Sequence, residues 1–109
     1  TIWYGVYNRI KHQLVYSTAG HPPAILTTAK STDVTQAKLL RTPGIPIGMF
    51  PQVKYVDGFC DIEKDSTLYI FSDGAYEIAK PDGMLWGLEN FVKMVVNSNY
   101  HLDQIINQL

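Results

Sequence analysis

One cysteine, Cys60, occurs in 109 residues. A lone thiol excludes an internal disulfide framework and suits a reducing compartment, so a cytoplasmic location is expected. Cys60 sits in a strand-like run and reads as a small buried hydrophobe rather than a nucleophile. The chain has no CxxC or HxxxH spacing, which removes the usual zinc sets. It has no G-x-S-x-G elbow and no glycine-rich nucleotide loop, which argues against serine hydrolases and nucleotide-binding folds. No apolar run approaches the roughly 20 residues that span a bilayer, so no membrane insertion by this segment is expected, and no signal peptide is visible. Lys and Arg number 9 against 10 Asp and Glu, without clustering. A net charge of -1 therefore offers no surface for nucleic acid. Methionine is missing from the start, and Thr1 opens directly onto a strand-like run. The N-terminus is not expected to be the natural one.

The apolar content of 46% suits one compact domain with a core, and no repeat or low-complexity stretch interrupts it. Residues 3–9 are aromatic and β-branched and read as a strand. A polar turn at residues 11–13 leads to a return strand at 14–18. Further strands are expected at 24–28, 34–40, 53–62 and 67–71. Successive hairpins imply largely antiparallel pairing. Residues 42–51 hold three of the six prolines and two glycines, an irregular loop. The period then changes. Leu88, Phe91, Val92 and Val95 share one helix face, and Leu102, Ile105, Ile106 and Leu109 repeat the spacing. A loop at residues 97–99 separates the two helices. Strands followed by helices indicate an α+β fold with helices packed on one sheet face. Trp3, Tyr4, Tyr7 and Tyr16 read as core and cross-strand packing rather than a base-stacking platform.

The most informative stretch is Phe71-Ser72-Asp73-Gly74, after the apolar run Leu68-Tyr69-Ile70, which reads as the end of a buried strand. Asp-Gly is an ordinary turn dipeptide. It is also a way to hold a rigid carboxylate out to a hard cation, with a glycine that lets the backbone turn sharply and a ligand approach. Three neighbours bear on the choice. Ala19-Gly20-His21-Pro22-Pro23 lies between two strands. Gly44-Ile45-Pro46-Ile47-Gly48 lies in the irregular loop. Asp82-Gly83, with Trp86-Gly87 downstream, opens the helical pattern.

This order of motifs resembles the bacterial protein phosphatase 2C-like serine/threonine phosphatases of the stage II sporulation protein E type. The resemblance runs from about Tyr4 to the last helical stripe. It implies an α-β-β-α sandwich of antiparallel sheets and helices, and hydrolysis of phosphoserine or phosphothreonine by a two-metal centre of Mn2+ or Mg2+. It implies Asp73 as a metal ligand, with Gly74 clearing the site. It also implies a phosphorylated protein substrate of the anti-sigma-factor-antagonist kind, and an upstream sensor or receiver domain. The family's early Asp-Gly ligand motif and its closing-strand aspartate have no counterpart here. Residues 1–109 are therefore expected to form a single partial domain, inactive alone. Asp57, Asp61, Asp65 and Asp82 read as solvated charges. His21 is expected to orient its loop rather than transfer protons, and His12 and His101 to be solvated. Lys64-Asp65 stands where the family has Gly-Asp, which puts a positive φ at that turn in doubt. Leu88-Glu89-Asn90 stands where Glu-Arg is common. The alternative is a non-catalytic phosphatase-like module that binds a partner or transmits a signal.

Overall fold

The computed structural model describes residues 1–28 and 37–97. The strands are β1 (Ile2–Asn8), β2 (Gln13–Ala19), β3 (Ala24–Thr27), β4 (Lys38–Leu40), β5 (Gly58–Asp61) and β6 (Thr67–Tyr69), followed by the helix α1 (Gly87–Asn97). They form two three-stranded sheets, ordered β1-β2-β5 and β4-β3-β6. Every pairing between these strands is antiparallel. The fold is thus α+β with antiparallel sheets, as the pattern implied.

The sheets stack through alternation along the strands. Leu14 and Cys60 of one sheet meet Ala24, Leu26 and Leu40 of the other, with Trp3, Ile62 and Leu68 at the margins. The opposite side of β3 points Ile25 at α1, where it packs with Phe91, Val92 and Val95. All four β3 residues are buried because both faces of that strand are covered. Ile25 and Val95 are 0% exposed, and burying such side chains contributes about 1.5–3 kcal/mol each. The helical stripe behaves as its spacing predicts, with Leu88 half-buried, and Met94 and Val96 also turn inward.

Several expectations are corrected. Residues 62–66 do not close a hairpin. They carry the chain between sheets, because β5 pairs with β2 while β6 pairs with β3. Cys60 and Leu68 lie on opposite walls of one core, so each strand must join its own wall. The strand expected at 53–62 is regular only over Gly58–Asp61. Gly58 lies under the Tyr16 ring, where a Cβ would come within 2.6 Å of it. The run before Asp73 is a half-buried strand at its sheet's edge, and Ile70 is exposed. Trp3 and Tyr16 do stack, centroids 5.9 Å apart, but Tyr4 and Tyr7 are exposed. Tyr7 instead bonds His12 through its hydroxyl at 3.1 Å. The positive φ in the 62–66 turn falls on Asp65 (φ 61), which tolerates it, and spares Lys64.

Residues 34–36 of one expected strand, the turn before it, residues 98–99 and the second helical stripe lie outside the described residues, as does His101. Among the described residues no helix is long and apolar enough to cross a membrane. Cys60 is a buried free thiol. Its reaction with an aromatic disulfide reagent should be slow in native buffer and become fast only when denaturant unfolds the chain. Immediate labelling of the native protein would place the thiol at the surface.

Candidate functional site

Two recesses open at opposite ends of β2. The larger, about 750 Å³, is walled by Leu14, Leu26, Ile62 and Leu68 and is the mouth of the inter-sheet core. The other, about 640 Å³, gathers His21, Arg41, Gly44, Asp73, Tyr76 and Glu77. Size favours the first, but chemistry favours the second, because it collects the sequence motifs.

Backbone contacts hold those motifs together. The Gly20 amide donates to the Gly44 carbonyl at 2.8 Å, joining the Ala-Gly-His-Pro-Pro turn to the proline-rich loop. Gly20 has φ +67, and a Cβ there would lie 2.5 Å from the Pro46 ring. A Cβ on Gly44 would overlap the Thr18 carbonyl oxygen. Both glycines are therefore required by close approach of the two loops. Beside them, Thr18 and Thr42 are buried and bonded reciprocally. The Thr18 amide donates to Thr42 Oγ1 at 2.9 Å and the Thr42 amide to Thr18 Oγ1 at 3.0 Å.

His21 links this wall to the aspartate. Its Nε2 donates to the Phe71 carbonyl at 3.0 Å, and Thr1 Oγ1 lies 3.2 Å from Nδ1. A carbonyl can only accept, so Nε2 is the donor in that bond. Both ring nitrogens are engaged in hydrogen bonds, one of which ties His21 to the strand end before Asp73. The chain then leaves the ladder, and Asp73–Ala75 forms a single 3-10 turn. The Tyr76 and Glu77 amides donate to the Asp73 carbonyl at 3.1 and 2.9 Å. Phe71 and Tyr76, on either side of this turn, both pack on Phe91 of α1, so the helix clamps the turn from below.

The Asp73 carboxylate is exposed and takes no hydrogen bond or ion pair among the described residues. An unpaired oxygen donor at a cleft wall fits one position of a hard-cation site. Glu77 shares the wall, but no three His, Cys, Asp or Glu converge among the described residues. Burial raises the Tyr76 phenol above the usual tyrosine range, with Glu77 and Asp73 adding to the rise and Arg41 opposing it.

The family model for stage II sporulation protein E (SpoIIE) matches residues 1–109. The chain belongs to the SpoIIE family. This is a phosphatase 2C-like family. The chain is also 31% identical, over 85 residues, to phosphoserine phosphatase RsbU of Bacillus subtilis (strain 168). That alignment covers 78% of this chain and 24% of the relative, so the chain spans about a quarter of that relative's length. No solved structure matches it.

In this SpoIIE-family chain, the structure places Asp57, Asp61 and Asp65 in solvent, as expected. Asp82 is also exposed, but its carboxylate accepts the Met84 amide at 3.0 Å and so shapes a turn. Gly74 is a correction. It has no positive φ, and a Cβ would find only Ser72 Oγ, at 3.8 Å. The turn does not demand glycine for its own conformation. What remains for Gly74 is an open approach to Asp73. Sequence reasoning missed Arg41, Thr42, Tyr76 and Glu77. Tyr76 and Glu77 carry a local signal, since they lie within four residues of Asp73. Arg41 and Thr42 carry none, because only the β3–β4 pairing brings them to the cleft.

Proposed function

We propose that this segment is part of a phosphatase 2C-like catalytic domain that hydrolyses phosphoserine or phosphothreonine on a signalling protein, with Mn2+ or Mg2+ as cofactor. The supporting observation is the convergence of three separated motifs on one cleft whose wall carries the unpaired Asp73. The name of the relative, phosphoserine phosphatase, agrees with that substrate class. An anti-sigma-factor antagonist is the protein substrate proposed, and a sensor or receiver domain upstream is the proposed source of control.

The chain's own residues have distinct tasks in this reading. Asp73 offers a hard oxygen ligand on a turn that α1 holds down. His21 fixes the strand end two residues before it through the Phe71 carbonyl. Gly20 and Gly44 let two loops close into one wall. Divalent ions bound there would neutralise phosphoryl charge and lower the pKa of water. Too few acids converge among the described residues to hold two ions.

The 109-residue chain alone is therefore expected to hydrolyse a phosphoserine peptide no faster than buffer, even with Mn2+. The same segment within a complete domain should turn over, and chelator should abolish the activity. Chelator-sensitive turnover by the short chain would show that residues outside the described set complete the centre. A complete domain that binds Mn2+ and phosphopeptide without turnover would favour the non-catalytic module.

A further inference from the structure

Arg41 is the one Lys or Arg side chain among the described residues lining the cleft. It shares the wall with two acids, Asp73 and Glu77, yet makes no ion pair with either. Its backbone is held on both sides. Leu40 is buried, and its carbonyl accepts the Trp3 indole N–H at 2.9 Å. Thr42 is buried and latched to Thr18. Arg41 is thus an exposed guanidinium on a rigid mount, facing the same space as the proposed metal ligand. It lines the cleft together with Tyr76 and opposes the rise of the Tyr76 phenol. The nearby His21 has both ring nitrogens engaged, with the Phe71 carbonyl and the Thr1 hydroxyl.

We propose that Arg41 is the phosphoryl-binding residue of this cleft, taking two oxygens of a phosphomonoester in a bidentate grip beside Asp73. The identity of the ligand rests on the phosphatase reading above, whereas the anion site itself does not. A phosphomonoester dianion entering this cleft meets two carboxylates and needs a fixed positive partner. Arginine meets that need better than lysine. Its planar fork matches two phosphate oxygens, it stays charged at any working pH, and it is weakly hydrated. Leaving it unpaired in the free protein keeps the fork available. Its role is to bind and orient the phosphoryl group, and it transfers no proton.

The test is a titration of the 15N-labelled 109-residue chain with inorganic phosphate and with phosphoserine, without metal. Saturable shifts are expected at the Arg41 side-chain N–H and at the Thr42 and Gly44 amides. Unlabelled serine should produce none. Arg41→Ala should weaken binding about tenfold or more, and Arg41→Lys should fall between, since an ammonium keeps charge but loses the fork. Because Arg41 is exposed, both variants should keep the parent spectrum elsewhere. Asp73→Asn should bind phosphate more tightly, because a like charge has gone. A role for Arg41 in structure alone predicts no such tightening. A spectrum indifferent to phosphate, or undiminished affinity in Arg41→Ala, overturns the proposal. The phosphatase reading fails separately. If a complete domain turns over with Mn2+ but Arg41→Ala leaves its KM for a phosphopeptide unchanged, the Arg41 proposal falls and the hydrolase stands. If phosphate binds at Arg41 and no complete domain turns over, the hydrolase falls and the anion site stands.

Discussion

Asp73→Asn is expected to cost a complete domain its metal affinity and its activity while leaving the fold intact. Asparagine is nearly isosteric, and the Asp73 carboxylate has no protein partner to lose among the described residues. The 3-10 turn is held by the Asp73 carbonyl, which the substitution keeps. What changes is the ligand, since a neutral amide offers one oxygen in place of a charged pair. Metal affinity should fall by at least roughly 10- to 100-fold, the loss typical even of residues that only support a ligand. High Mn2+ should restore part of the rate, since concentration offsets weak binding. Asp82→Asn is the control. Its side-chain oxygen accepts the Met84 amide, and asparagine can do the same. Steady-state rates against Mn2+ concentration separate the two variants. Parent-like rates in Asp73→Asn together with a defect in Asp82→Asn would move the ligand to the other aspartate.

Gly20→Val should be strongly destabilising. The position has φ +67, where a β-branched residue is strained by about 1–3 kcal/mol. The new Cβ would also lie within 2.5–2.8 Å of Pro46 Cγ, Cδ and N. Overpacking of this kind costs about 1–3 kcal/mol, and here one of the atoms is backbone. Together, at about 2–6 kcal/mol, these reach the lower end of a domain's whole stability, about 5–15 kcal/mol. The Gly20 to Gly44 bond should weaken too, loosening the wall that carries Arg41. Urea unfolding should show a much lower midpoint. Gly48→Ala makes the comparison. It also has a positive φ, +90, but nothing lies within 4 Å of its Cβ. It should lose only the conformational part. An unchanged midpoint in Gly20→Val would mean that the two loops do not meet as described.

Much of the architecture was legible because it is local. The stripe of Leu88, Phe91, Val92 and Val95 specifies a helix and its buried face from period alone, and α1 turns that face to the core. The β1–β2 hairpin follows from two strand-like runs around a short polar turn. Cys60 and the solvated aspartates needed only residue type and neighbourhood. Asp73 stood out because its motif keeps company with Gly20-His21-Pro22 and Gly44-Ile45-Pro46, and family membership agrees with that order.

Sequence by itself therefore determined the element types, the antiparallel pairing and the identity of the candidate ligand. Tertiary structure decided which sheet each strand joins, which aromatic residues are covered, and which charges face the cleft. Period 2 assigns a residue to one of two strand faces but does not say which face will be buried. Trp3 and Tyr7 share one face of β1 and Tyr4 takes the other, yet Tyr7 stays exposed because it lies at the open mouth of the inter-sheet core. Strand pairing across residues 62–66 depends on two walls sharing one core, a property of no single segment. Gly74 and Arg41 show the same division at the site. The glycine looked necessary within its own turn, but its Cβ position is open. The arginine looked like any surface charge until β4, paired with β3, carried it to the wall that holds Asp73.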